Sequence, residues 1–445
     1  MTVHWQTMPR QLRPPAPPKK EIPIKRDIRA INRVLKAAGS STRADIYNAD
    51  GEKLVHWLGT PRAGQIIVYV LMRPPGEKIS KIAGLLGELA EELSAARGVE
   101  TVPRLLQRPL ALELPHYAPA PMPWVDPVGL QPDQARLGVE FSIAGTRDAV
   151  ADLGRLPHIL ISGRTGAGKT ILLNGLLGSL CMATPPADLR LWLIDPKNRD
   201  LIALAGLPHV ERATFRDEDA DKILDWFADE IDRRIAAGRT MGPRHVLVID
   251  ELASFVDALP RLEGILKRAG MMGRALGVNI IAATQRTDAA AIGGQFRAQF
   301  SARISGSVAT VEDARINVGV RDSGAESLPL GSGRFVMSAD GRLSSFQAHL
   351  MDRPAALVRA VRSKWTGADL PAPAAVGSPY GDDEAGQVAA AVAELVPGFV
   401  AGDVSQNELL RVAFAAGALQ SKSAAASPRN RGVLAEAIER IEGGV

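Results

Sequence analysis

His158-Ile159-Leu160-Ile161-Ser162-Gly163-Arg164-Thr165-Gly166-Ala167-Gly168-Lys169-Thr170 is the stretch from which the rest of the chain can be read. Five residues of apolar, strand-like character lead into the pattern G-x-x-x-x-G-K-[ST], and the apolar run that follows predicts a helix. Each position has a physical reason. The glycines let the backbone N–H groups of the loop, Gly163 through Gly168 with Arg164, Thr165 and Ala167 between them, wrap phosphate oxygens. The helix behind them adds the positive end of its dipole. Lys169 has the reach for the β and γ phosphates, and the Thr170 hydroxyl suits Mg²⁺. The strand-loop-helix context separates this from a chance match and makes ATP with Mg²⁺ the expected cofactor pair.

Two later strand ends carry the complementary chemistry. His245-Val246-Leu247-Val248-Ile249-Asp250-Glu251 is an apolar strand closing on two carboxylates. A strand beside the P-loop strand would place Asp250 by the Mg²⁺, usually through water, and Glu251 where it can polarise the attacking water. The plainer reading is a pair of helix-capping acids. In Asn279-Ile280-Ile281-Ala282-Ala283-Thr284-Gln285-Arg286 a second buried strand turns polar at the same edge. Gln285 there suits sensing of the γ-phosphate or ordering of water, against a local turn cap.

The organisation fits an α/β protein of several parts. With 445 residues the chain exceeds one ordinary core. Residues 1–28 read as a basic, Pro-rich tail and 29–118 as a small α/β domain. Residues 119–137 form a linker, and 138–366 alternate strands and helices as a RecA-like P-loop domain does. A second linker, 367–385, precedes a helical module over 386–445. Within the small domain, Gly64 to Leu71 predicts a strand, Ile79 to Leu93 one amphipathic helix, and Pro103 to Leu114 another strand.

Composition narrows the function classes. Hydrophobic residues make up 46% of the chain, which places it among globular and not disordered proteins. A formal net charge of +4 fits a polyanionic partner without requiring one. The single cysteine, Cys181, excludes an internal disulfide and a cysteine-rich zinc cluster, and its apolar surroundings predict burial. No apolar run reaches the roughly 18 residues of a membrane-spanning helix, so no membrane-spanning segment is expected. The Pro-rich start lacks a signal-peptide core, so the expected location is cytoplasmic.

With these residues in place the chain resembles the FtsK/SpoIIIE family of DNA translocases. The resemblance runs through Leu156 to Gly163, Leu193-Ile194-Asp195-Pro196-Lys197, Leu207-Pro208-His209 and Asp229-Glu230-Ile231-Asp232-Arg233-Arg234. It continues in Val248 to Ala253, Ala283-Thr284-Gln285-Arg286, Ala302-Arg303-Ile304, Asp313-Ala314-Arg315 and Gly324-Ala325-Glu326, in the family's order, and covers about residues 60 to 365. It implies a homo-oligomer, a hexameric ring around double-stranded DNA, with ATP sites between subunits. The chain departs from the family in lacking the N-terminal membrane helices of full-length members, which predicts a free motor of a plasmid or phage or a soluble paralogue. Thr287-Asp288 also replaces the proline usual after Gln-Arg.

The resemblance also implies a cation supplied across the subunit boundary. Arg303 leads, with Arg274 and Arg315 behind it, each weighed against an ordinary ion-paired surface arginine. DNA contacts are expected from Lys197 and Arg199 in one loop and from Arg286 and Arg297 in another, against the reading of both as ordinary solvated loops. Ser405 to Ile441 reads as short helices weakly resembling a winged-helix module, which would bring Lys422, Arg429 and Arg431 to DNA; a packing module is the alternative. The favoured reading is an ATP-driven duplex translocase. Its rivals are a ring ATPase moving single-stranded DNA or protein, and an assembly protein switched by ATP.

Overall fold

The computed structural model describes residues 24–46, 54–59, 64–107, 110–116, 120–142, 145–195, 201–215, 217–238, 242–255, 261–265, 267–268, 276–285, 294–365, 374–375, 434 and 438. Of the helical module expected over 386–445, therefore, only Leu434, fully buried, and Ile438 are described, both helical.

The N-terminal part is built on a mixed set of short strands and helices. Helix α1 (Ile24–Ala37) packs with α3 (Leu86–Arg97) on a sheet of order β1 (Arg43–Ala44), β3 (Gly64–Met72), β5 (Leu110–Pro115), β4 (Arg104–Gln107), with β2 (Val55–Gly59) also on β3. The start of α1 corrects the sequence reading, which left residues 24–28 in a tail. Asp27 looks like a tail residue but is fully buried, because Arg97 and the Tyr69 hydroxyl both bond its carboxylate. The single helix expected over 79–93 is two, α2 (Ile79–Gly84) and α3, meeting at Leu85.

The larger part is one mixed sheet of eleven strands. Its parallel half runs β10 (Val210–Thr214), β9 (Leu189–Ile194), β11 (Arg244–Ile249), β12 (Val278–Thr284), β8 (His158–Ser162), β13 (Ala302–Ser305). The antiparallel half continues through β14 (Arg334–Ala339), β15 (Arg342–Ala348), β6 (Gln134–Ser142) and β7 (Gly145–Asp152), and Ala374–Ala375 pairs beyond β10. All five residues of β8 and all seven of β12 are buried, as strands covered on both faces must be. One face carries α4 (Lys169–Ala183) and α7 (Pro354–Lys364); Ile159, Ile161, Leu173 and Leu357 share its core. The other face carries α5 (Asp217–Ala237), with Leu160, Trp192, Phe227 and Leu247 packed together. Helix α4 is apolar all round because it is buried all round: sheet on one side, α7 and Trp124 on others. Cys181, on α4, is buried as expected, and burial pushes its thiol well above the usual range.

The two parts meet through buried charge. Glu113 of β5 is bound by Arg334 of β14 and, at 2.9 Å, by Arg104 of β4. Arg104 also reaches the Ser323 carbonyl and the Ser345 hydroxyl of the larger part. Burial alone would raise the Glu113 carboxyl, but the two guanidinium charges outweigh it and hold the group below its ordinary range. Stripping one partner from such a set costs about 3–5 kcal/mol. Among the described residues no helix is long and apolar enough to cross a membrane.

Four histidines, His158, His209, His245 and His349, are buried. Burial lowers His158, His209 and His349 to about 4, and burial reinforced by Arg234, Arg190 and Arg233 lowers His245 to about 3. The unfolded chain binds protons at these groups below about pH 6.5 and the folded chain does not, so stability falls with pH across that window. At pH 5 each contributes on the order of 1 to 2 kcal/mol of destabilisation. Thermal melting at pH 7.5 and pH 5.0 should differ by roughly 10 °C, the acidic midpoint being lower. An unchanged midpoint would contradict the burial of these four rings.

Candidate nucleotide site

The P-loop connects the end of β8 to the start of α4, as the sequence predicts. It is held from beside by the chain that leaves β13: Arg164 N–H donates to the Ser307 carbonyl at 3.1 Å and Gly306 N–H to the Ser162 carbonyl at 2.9 Å. Gly306 is required there. A Cβ on it would lie 2.9 Å from the Ala167 Cβ and 3.1 Å from the Phe335 ring. Gly163, Gly166 and Gly168 have φ of +140°, +80° and +93°, values open to glycine and strained for other residues. Gly168 caps α4 at its N-terminus, which directs the helix's first N–H groups at the loop.

Lys169 is buried, and its Nζ donates to the Gly163 carbonyl at 2.9 Å and the Arg164 carbonyl at 3.3 Å. Beside it opens a cavity of about 500 Å³, walled by Thr165, Gly166, Gly168, Lys169, Thr170 and Gln285, by Gln347 to Leu350 at the end of β15, and by residues from two other segments. One is Gly331-Ser332-Gly333 at the start of β14. The other is Pro121-Met122, in the linker the sequence assigns to 119–137. That linker is fastened by Trp124 N–H to the Leu350 carbonyl, 3.1 Å, and Leu350 N–H to the Met122 carbonyl, 2.6 Å. Nothing in the motif pattern signals these two walls; they come from long-range pairing. The cavity, the ammonium parked on exchangeable carbonyls and the loop N–H groups fit a nucleotide triphosphate. Thr170 and the Asp250 carboxylate are the candidate holders of its Mg²⁺.

The position of Asp250 and Glu251 corrects the sequence reading in one respect. Their strand, β11, is not beside β8: β12 lies between, pairing Ala282 with Leu160 on one side and with Ile249 on the other. The carboxylates are thus set back by one strand spacing, about 4.8 Å. Both are buried, Asp250 6% and Glu251 4% exposed. Glu251 has φ +56°, a left-handed conformation a non-glycine residue adopts at some cost. Its Oε1 accepts from the Gln285 N–H at 3.1 Å and the Thr284 hydroxyl at 3.3 Å. Gln285 in turn accepts from the Thr165 hydroxyl at 2.8 Å. A continuous chain therefore runs from the P-loop through Gln285 to Glu251, and the intervening strand is what makes it.

The remaining expected residues are distributed unevenly. Arg303 is half-buried on β13, its guanidinium packed over Gly319, and burial with the nearby Arg297 charge lowers its pKa. Among the described residues it has no carboxylate partner. Arg315, by contrast, is tied to Glu312 at 2.8 Å on the surface of α6 (Val311–Val318). Arg297 corrects an expectation: it is only 9% exposed, at the end of the short helix Gly294–Arg297, and not offered to solvent on a loop. Asp195 accepts from Leu201 N–H at 2.9 Å. His209 bonds the Thr184 carbonyl at 2.8 Å and Arg234 the Leu276 and Pro243 carbonyls at 2.7 Å, so these two motif residues brace the fold. Lys197, Arg199, Arg274, Arg286, Lys422, Arg429 and Arg431 lie outside the described residues.

Comparison with known proteins agrees with this geometry. Residues 124–256 match the model of the FtsK/SpoIIIE family. The DNA translocase FtsK of Borreliella burgdorferi is 30% identical over 297 residues, covering 61% of this chain and 37% of that protein. FtsK of Vibrio parahaemolyticus is 30% identical over 329 residues, covering 62% and 31% respectively. The chain thus spans about a third of the length of these curated relatives. ATPases 2 and 3 of EssC from Geobacillus thermodenitrificans superpose with a TM-score of 0.50 at 18% identity, over 58% of this chain and 54% of that one, a likeness of fold.

Replacing Gly306 by alanine should push the P-loop off its seat against Ala167. Overpacking of this kind costs about 1–3 kcal/mol, and fluorescent-nucleotide affinity should fall roughly tenfold as the loop moves. Undiminished affinity in G306A would show that the loop does not depend on this packing.

Proposed function

This chain carries an FtsK/SpoIIIE-family domain, and from that premise we propose that it is an Mg-ATP-driven translocase of double-stranded DNA working as a hexameric ring. The observation that carries the proposal is the hydrogen-bonded chain from the P-loop Thr165 through Gln285 to the buried Glu251. A switch that only binds nucleotide has no use for a carboxylate poised in this way. The relatives with the same domain are named DNA translocases, which points to DNA as the load.

In this reading Lys169 exchanges the Gly163 and Arg164 carbonyls for phosphate oxygens and so neutralises charge on the transferring group. Thr170 and Asp250 would hold the metal that accompanies the nucleotide, which would supply Lewis-acid polarisation. Glu251, set back by one strand, leaves room for a water and orients it by accepting its proton. Gln285 couples that carboxylate to the P-loop, so that a shift of Thr165 is felt at Glu251. Arg303, a half-buried cation without an acid partner among the described residues, serves the nucleotide of the adjacent subunit. Lys197, Arg199 and Arg286 face the phosphate backbone in the ring's channel, and Lys422, Arg429 and Arg431 make further contacts from the C-terminal module.

Steady-state ATPase activity without DNA, with single-stranded DNA and with long duplex tests this. Duplex should stimulate most. Lys169→Ala should abolish nucleotide binding. Glu251→Gln should keep binding and lose roughly 10²- to 10⁴-fold in rate, the usual weight of a general base. Mixing Lys169→Ala with Arg303→Ala subunits should restore part of the activity, since some sites then pair an intact P-loop with an intact arginine. Indifference to duplex would turn the reading to another load, and no rescue on mixing would remove Arg303 from the neighbouring site.

A further inference from the structure

Three walls of the nucleotide cavity lead back to one buried side chain of the N-terminal sheet, Glu113 of β5. The first wall is the start of β14. A Cβ on Gly168 of the P-loop would lie 3.9 Å from the Gly333 Cα and 3.7 Å from the Phe335 ring, so both residues face the P-loop. Successive residues of a strand point to opposite faces. Arg334, between those two, therefore turns away from the P-loop and meets Glu113. It is 2% exposed, and Glu113 is its one carboxylate partner among the described residues.

The second wall is the end of β15. The Ser345 hydroxyl accepts from Arg334 at 2.7 Å and from Arg104 at 3.0 Å. Two residues on, Gln347 pairs in register with Arg334, and its amide donates to the Ser332 and Gly333 carbonyls at 2.8 and 3.2 Å. Ala348 N–H adds a bond to the Gly333 carbonyl at 2.9 Å. The third wall, Pro121-Met122, begins six positions beyond Pro115, where β5 ends. All three walls are thus fastened to the strand that carries Glu113 or to the guanidinium it holds.

Removing the carboxylate would set Arg334 against Arg104, two cations at a buried junction, and the Arg334 guanidinium would have to move toward water. Its neighbours in the chain, Gly333 and Phe335, would move with it. There is little slack to absorb that shift. Gly333 sits at φ +67°, and a Cβ on it would meet the Gln347 amide nitrogen at 3.0 Å. A carboxylate elsewhere in the same N-terminal part gives a contrast. Glu77 accepts from the Thr42 N–H at 2.9 Å and its hydroxyl at 2.6 Å, at the entry to β1 and across β3 from β5. It supports the small sheet from the edge remote from the cavity.

We propose that Glu113 is a positioning residue of the nucleotide site: through Arg334 it holds the Gly333 wall against the P-loop, so the N-terminal part sets the affinity for nucleotide. The proposal rests on nucleotide occupying the P-loop cavity and not on DNA being the load. Fluorescent-nucleotide titration and steady-state ATPase activity of the full chain test it. Glu113→Gln should raise Kd and KM for ATP roughly tenfold, with kcat held within about twofold. Ser345→Ala, which keeps both ion pairs and removes the shared hydroxyl, should raise them about threefold. Glu77→Gln should lower the melting midpoint and leave Kd unchanged, a split that a merely structural role for Glu113 would not give. Coupling is reciprocal, so in the unaltered protein saturating Mg-ADP should slow hydrogen exchange over 110–115 more than over 24–37. That comparison decides the matter even if Glu113→Gln fails to fold. Unchanged affinity in Glu113→Gln and Ser345→Ala, an equal loss in Glu77→Gln, or exchange slowed no more over 110–115 than over 24–37 would each overturn the proposal. Absence of nucleotide binding by the unaltered chain would remove the P-loop reading itself, and this proposal with it.

Discussion

Strand β12 is hydrogen-bonded to β8 on one side and to β11 on the other, and the whole site depends on that double register. Thr284 stands level with Ser162, and Ala282 with Ile249, so three strands end along one edge. At that edge the P-loop, Gln285 and the Asp250-Glu251 pair become neighbours although they are far apart in sequence. Slipping β12 by one residue would reverse which of its side chains face each core and would carry the Gln285 N–H away from Glu251. Both faces of β12 are packed, so that slip is strongly opposed. The positive φ of Glu251 is tolerated for the same reason: the surrounding hydrogen bonds over-determine it.

Further constraints radiate from this edge. The cavity is closed by the start of β14 and by the linker that bonds Leu350, so the antiparallel half of the sheet shapes the pocket as much as the parallel half. Arg334 follows directly on Gly333 of the cavity wall and carries the buried bond to Glu113. The N-terminal sheet is thereby anchored one residue from the nucleotide pocket.

The parallel core was legible in the sequence because its strands are short, apolar and buried on both faces, and because the P-loop pattern fixes a strand, a loop and a helix at once. The fold class and the nucleotide motif follow from those residues. The strand order did not, since nothing local in Val278–Thr284 says that it inserts between the P-loop strand and the Asp250 strand. Long-range partners were equally invisible. Asp27 looked like tail until Arg97, seventy residues on, was seen to bond it. Arg297 looked like a loop cation, and tertiary packing buries it.

The central claim is that hydrolysis at this edge moves duplex DNA. The most direct measurement is displacement of a third-strand oligonucleotide from a long duplex, followed by loss of triplex signal. The account predicts displacement with Mg-ATP, none with a non-hydrolysable analogue, and none with the Glu251→Gln chain, which still binds nucleotide. Vigorous ATP hydrolysis on duplex with the third strand left in place would contradict it.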